Sequence, residues 1–196
     1  GGARGRRGGS AGAGAGAGGP GEVGVERYGE VAHAKAVWEA LMAAGAPLGL
    51  ELSGLGARDT LRLEMGYMLY GNDIDDVTTP LEAGLGWTVK LQKGDFTGRD
   101  VLVKQKAEGL KKRLVGFQLD GRRLPRHGMA IHAGGQPVGV VTSGTFSPSL
   151  ERPIGMGYVE VAHAATGTSL EIMAGSTALS ARVTARPFYT RGSHKS

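Results

Sequence analysis

The chain has 196 residues, 40% of them hydrophobic, which suffices for one or two small domains with cores of their own. It contains no cysteine, which excludes disulfides, thiolate metal sites, iron–sulfur clusters and a cysteine nucleophile. The formal charge of +5 owes three units to Arg4, Arg6 and Arg7, no basic–aromatic interleaving follows, and no apolar run nears the roughly 18 residues of a membrane span, so neither nucleic acid nor a bilayer is an expected partner.

Residues 1–20 are Gly, Ala, Arg and little else; they offer too little apolar surface to offset ordering entropy, and the expectation is a disordered segment. Gly and Ala alternate where a signal peptide would need a Leu-rich stretch, and the glycines follow no apolar strand, as a dinucleotide loop would require. A short strand is expected around Gly24 to Tyr28. The spacing of Val37, Trp38 and Leu41 then predicts a helix over His33–Ala44 with that side toward a core, stopped by Gly45 and Pro47. A second helix is expected from Ala57, with Leu61, Met65 and Met68 at core spacing, Asp59 favourable to its first turn, and Arg58 and Arg62 one turn apart on another face. Thr79 and Pro80 suit the cap and first position of a short helix. Thr97 and Asp100 have capping-box spacing for a third helix that ends at Gly109.

After Lys111 and Lys112 the texture changes to six short β-rich runs: Leu114 to Leu119, Met129 to His132, Pro137 to Thr142, Gly155 to Val161, Ser169 to Met173 and Leu179 to Pro187. Such runs predict a compact antiparallel barrel or sandwich. The expected class is α+β: residues 21–110 as an α+β part, 111–190 as an all-β domain with the boundary near 111, and 191–196 as a flexible tail.

The five histidines, His33, His127, His132, His163 and His194, form no HExxH or other ligand spacing, and neither a GxSxG elbow nor a Walker loop occurs. Glu26, Asp59, Glu64, Asp73 and Asp75 lie near basic residues, but spacing alone selects no catalytic acid among them. Trp38 and Trp87 are expected to pack. The density of Arg, Asp and Gly from Gly54 to Asp76 marks that stretch as a candidate site.

That stretch, Gly54-Leu-Gly-Ala-Arg-Asp-Thr-Leu-Arg-Leu-Glu-Met-Gly-Tyr-Met-Leu-Tyr-Gly-Asn-Asp73, closely resembles the signature of the glycine cleavage T-protein family of aminomethyltransferases. The likeness continues through Thr79-Pro-Leu-Glu-Ala-Gly-Leu-Gly-Trp87, Lys93-Gly-Asp-Phe-Thr-Gly-Arg99, Thr142-Ser-Gly-Thr-Phe-Ser-Pro-Ser149 and Arg186-Pro-Phe-Tyr189. Upstream, Gly21-Glu-Val-Gly-Val-Glu-Arg-Tyr28 is similar to the family's GEDGFEIY, with Val23 in place of its aspartate and Arg27 in place of its isoleucine. Iron–sulfur assembly relatives carry a cysteine motif that this chain lacks. The folate modules of dimethylglycine and sarcosine dehydrogenases, and a non-enzymatic folate-binding or interaction module, are the competing readings.

The resemblance implies the carboxy-terminal portion of such an enzyme: the remainder of a folate-binding α+β domain, then a small β-barrel. It implies tetrahydrofolate as cofactor, the lipoylated H-protein as partner, and a cytoplasmic location, or a mitochondrial one in a eukaryote. Carried over by position, it marks Glu26 and Arg58 as folate or substrate contacts. A carboxylate accepts paired hydrogen bonds from a pterin edge, and a guanidinium offers a rigid fork to oxygens. The family's acid at the reacting nitrogen is expected in the amino-terminal half and has no counterpart here, so the chain alone is expected to be inactive.

Overall fold

The computed structural model describes the backbone of residues 3–7, 10–17 and 24–191, and the side chains of 25–191. The expected flexible tail after Arg191, and residues 1–2, 8–9 and 18–20 of the expected disordered segment, lie outside the described residues. Two compact units divide the chain, one of residues 1–61 with 191–196 and one of residues 62–190.

In the first unit, β1 (Ala3–Arg7), β2 (Ser10–Ala17) and β3 (Gly24–Tyr28) form an antiparallel sheet in the order β1-β2-β3, with Ala13 opposite Tyr28 and Ala17 opposite Gly24. Strands therefore stand where composition argues for disorder. The ladder is made by backbone N–H and C=O groups, which alternating Gly and Ala supply unobstructed, so pairing needs no apolar face. Among the described side chains of β3 none is buried: Val25 is 76% and Tyr28 59% exposed.

Helix α1 (Ala34–Gly45) lies where the apolar spacing puts it, but it buries no residue, and Trp38 and Leu41 are 55% and 43% exposed. Its end is set by contact: a Cβ on Gly45 would fall 2.4 Å from a methyl of Leu50. Helix α2 (Leu55–Glu64) starts two residues earlier than expected, which moves Asp59 out of the first turn. It also stops before Met65 and Met68. The fully buried residue is Leu63, while Leu61 is 37% exposed.

The second unit holds a closed barrel in the order β4-β7-β6-β5-β8-β9, with β4 also paired to β9. Its strands are β4 (Lys112–Leu119), β5 (Ala130–Ala133), β6 (Gln136–Ser147), β7 (Arg152–Glu160), β8 (Ser169–Ala174) and β9 (Thr177–Thr184). All six expected runs are strands, and closure removes the free edges a sandwich would leave. Val115, Phe117, Leu119, Ile131, Val141, Val159 and Ile172 belong to the interior core. Gly155 leaves room for Phe117, whose ring lies 2.6 Å from where a Cβ would be.

A second core covers the outside of β4 and β7, where Leu114, Ile154, Met156 and Tyr158 pack with Leu63 and Phe188. The run Leu114–Phe117 is thus buried on both faces, which hides strand alternation. The backbone N–H of Leu114 also donates to the Glu82 carbonyl at 2.9 Å. For these reasons residues 62–110 belong to the same compact unit as the barrel, whose first strand begins at Lys112.

Between α2 and the barrel lie turns and α3 (Arg99–Glu108). Thr79 and Glu82 cap each other: Glu82 N–H donates to Thr79 Oγ1 at 3.2 Å, and Thr79 N–H to Glu82 Oε2 at 3.0 Å. What they cap is a turn over 80–84, too short to be the expected helix. The capping box expected at Thr97 does not form: the cap of α3 is Gly98, at φ 84°, with no side-chain bond, because Thr97 lies one residue too early. The helix ends at Gly109, as its sequence predicts.

Candidate functional site

The two positions marked by the signature both fall in the first unit. Glu26 is exposed on β3, and the hydroxyl of Tyr28, two residues on and so on the same strand face, donates to its carboxylate. That bond raises the Tyr28 pKa from its ordinary value. Arg58 is exposed on α2, with its N–H bonded to the Gly54 carbonyl and its guanidinium without a hydrogen bond or ion pair to any described residue. No bond joins Glu26 to Arg58. What they share is exposure to solvent.

Four residues beyond Arg58 the same helix turns to a different purpose. Arg62, 7% exposed, donates from Nη1 to Asp73 Oδ2 at 2.7 Å and to the Tyr67 carbonyl at 3.2 Å, and from Nη2 to Ser143 Oγ at 3.0 Å. Asp73, 1% exposed, also accepts the Leu69 N–H at 2.9 Å, the Ser143 hydroxyl at 2.9 Å and the Thr142 hydroxyl. Its carbonyl accepts the Tyr158 hydroxyl at 2.8 Å. A buried ion pair is tolerated only when its remaining lone pairs and protons are bonded, and here they are. The cluster therefore fixes the 62–73 stretch to β6 and β7.

Glu64 makes a second tie. Its carboxylate accepts the hydroxyls of Ser147 and Ser149 and the Ser149 N–H at 3.2 Å, while its carbonyl accepts the N–H groups of Phe188 and Tyr189, both at 2.9 Å. Glu64, which the sequence places near basic residues, is thus held in a buried hydroxyl clamp. Sequence reasoning could have found both ties in one signal: the matched segment Thr142–Ser149 carries hydroxyls at 142, 143, 147 and 149, which is a supply of donors for the buried acids of the first motif.

Each buried carboxylate among the described residues, Glu64, Asp73 and Glu82, is committed in this way to bonds that hold the fold. Trp38 and Trp87 depart from the packing expected of them, at 55% and 75% exposed, and Tyr67 and Tyr70 are also exposed, at 42% and 66%. No group of three or more His, Asp or Glu side chains suited to a metal occurs among the described residues, and no described helix is long and apolar enough to cross a membrane. Beside the Asp73 cluster a recess of about 380 Å³ opens, lined by Asp75, Thr78, Lys112, His127, Val140 and Tyr158 among others.

Comparison with known proteins agrees with the signature. Residues 18–93 match the family model of the GCVT N-terminal domain, and residues 112–190 that of the glycine cleavage T-protein C-terminal barrel domain. An aminomethyltransferase of Halothermothrix orenii is 55% identical over 168 residues, which are 86% of this chain and 47% of the relative. One of Phocaeicola vulgatus is 52% identical over 167 residues, 84% of this chain and 46% of the relative. The crystal structure of the glycine cleavage system aminomethyltransferase T from Bartonella henselae superposes with a TM-score of 0.84 at 35% identity, covering 91% of this chain and 50% of that one. The chain spans about half the length of the relatives it matches.

Proposed function

The chain belongs to the glycine cleavage T-protein family, and on that premise we propose that it supplies the carboxy-terminal portion of a tetrahydrofolate-dependent aminomethyltransferase. In this reading an aminomethyl group arrives on the lipoyl arm of an H-protein, its carbon passes to tetrahydrofolate as methylenetetrahydrofolate, ammonia is released, and the lipoyl sulfur leaves as a thiol.

The observation that carries the reading is Arg58: a guanidinium inside the family signature, exposed, and without an intramolecular counter-ion among the described residues. A free fork of N–H donors suits a carboxylate or another oxygen-rich group of the substrate. Glu26 is complementary, because a carboxylate accepts paired hydrogen bonds from the N–H edge of a pterin. The Tyr28 hydroxyl holds one of its oxygens in place. Binding and orientation are the tasks of these two residues. The proton at the reacting nitrogen needs a different group, since Glu64, Asp73 and Glu82 are spent on internal bonds.

Calorimetric titration of tetrahydrofolate under anaerobic conditions tests this. Losing one charge-assisted bond costs about 1.5–3 kcal/mol, so Arg58→Ala is expected to weaken binding by roughly 10- to 100-fold, with Glu26→Gln weaker by a smaller factor. Equal affinity in wild type and Arg58→Ala would overturn the assignment of Arg58. Ammonia release from the isolated chain, given H-protein and folate, would overturn the claim that the proton-transfer group lies elsewhere.

A further inference from the structure

The recess beside the Asp73 cluster lies wholly within the second unit and takes no part in the assignment of Glu26 and Arg58. Its walls carry opposite charges, Asp75 and Lys112, that stand beyond ion-pair distance of each other among the described residues. Asp75 is held in place by the Val77 N–H at 3.0 Å and by Thr78, and its carboxylate has no cation at ion-pair distance among the described residues. Lys112 stands over the Tyr158 ring, its Nζ 5.0 Å from the ring centroid, likewise without a carboxylate at ion-pair distance. A cation over an aromatic face is held but keeps its N–H donors available.

The rest of the lining is oriented as well. His127 Nδ1 lies 2.9 Å from the Thr142 carbonyl, which can only accept, so Nδ1 is the donor and the ring is held in place. The Tyr158 hydroxyl is already engaged with the Asp73 carbonyl at 2.8 Å. Val140, 42% exposed, adds an apolar strip. A lone anion in this recess would meet Asp75, and a lone cation would meet Lys112. A ligand with one charge of each sign relieves both.

We propose that this recess is a binding site for a zwitterion of amino-acid size, with its carboxylate on Lys112 and its ammonium on Asp75. A volume of about 380 Å³ admits an α-amino acid with a small apolar side chain beside Val140.

The test is a titration of the 196-residue chain, labelled with nitrogen-15, with glycine, alanine and valine, followed by amide shifts; acetate and methylamine serve as singly charged probes. Saturable shifts centred on Asp75, Lys112 and His127 are expected. Losing one charge-assisted contact weakens binding by about tenfold or more, so acetate, methylamine, Asp75→Asn and Lys112→Gln should each show that loss. Both residues lie outside the buried cluster, and the spectrum of each variant reports its fold directly. Arg58→Ala should leave the titration unchanged, which separates this site from the folate reading. The proposal is overturned if no amino acid gives saturable shifts, if acetate binds as tightly as glycine, or if binding survives in the double variant Asp75→Asn/Lys112→Gln.

Discussion

The two units use apolar and charged residues in opposite ways. In residues 62–190, Leu63, Phe117, Ile131, Ile154 and Ile172 are fully buried and Arg62 and Asp73 pair in the interior. In residues 25–61 no side chain is buried, although Trp38, Leu41, Leu50 and Leu52 are as apolar as any in the barrel. The difference teaches that one signature serves two ends. Its later residues, Arg62, Glu64 and Asp73, are consumed by the fold. Arg58, four residues earlier, is left with its charge unspent.

The contrast breaks most visibly at Asp73. Removing one partner of a buried pair leaves an uncompensated charge, so Asp73→Ala should destabilise the second unit by about 3–5 kcal/mol. That is much of the stability of an ordinary domain. Urea denaturation followed by the midpoint shift at constant slope would measure it; a loss under 1 kcal/mol would mean that the cluster does not hold the fold. Next comes a matched pair of truncations. Leu63→Ala should cost about 2–5 kcal/mol, whereas Trp38→Ala, a larger deletion on an exposed face, should cost about 0.5 kcal/mol or less. Comparable costs would erase the distinction between the units.

A smaller effect separates them by pH. Burial, the largest cause, pushes the Tyr158 hydroxyl from its ordinary value of 10.0 up to about 12, with the charges of Asp73, Glu82 and Asp75 adding to it. The unfolded chain therefore gives up this proton first. The contribution is fully present below pH 10, and it is lost as pH rises toward 12. Tyr158→Phe should flatten the alkaline fall in the stability of the second unit; an unchanged slope would assign that fall to other groups. The smallest expected effect is the sharpest. Arg58→Ala should change stability by no more than about 0.5 kcal/mol, as for an exposed residue with no internal partner. A larger loss would make Arg58 a residue of the fold, and the folate reading would lose its anchor.

Much of this was legible beforehand, for reasons that can be named. Six β-rich runs gave six barrel strands, because turn residues interrupt apolar stretches wherever the chain must reverse. The stop at Gly45 and the end at Gly109 were legible for the same kind of local reason. The proposed site was legible only by kinship: nothing in the spacing around Glu26 or Arg58 singles them out. Spacing could not pair Asp73 with Thr142, Ser143 and Tyr158, which lie 69 or more positions away along the chain; the hydroxyls of the matched 142–149 segment were the one signal of such a tie, and Tyr158 had none.

The sequence by itself determined the family, the six strands of the barrel and the approximate positions of the three helices, because all three rest on residue identity and short spacing. Only the tertiary structure decided which charged residues of the signature are internal bonds and which face solvent, and that the stretch after Leu61 belongs with the barrel. Burial and counter-ions are set by contacts between distant segments, and neither is encoded in the periodicity of any one of them.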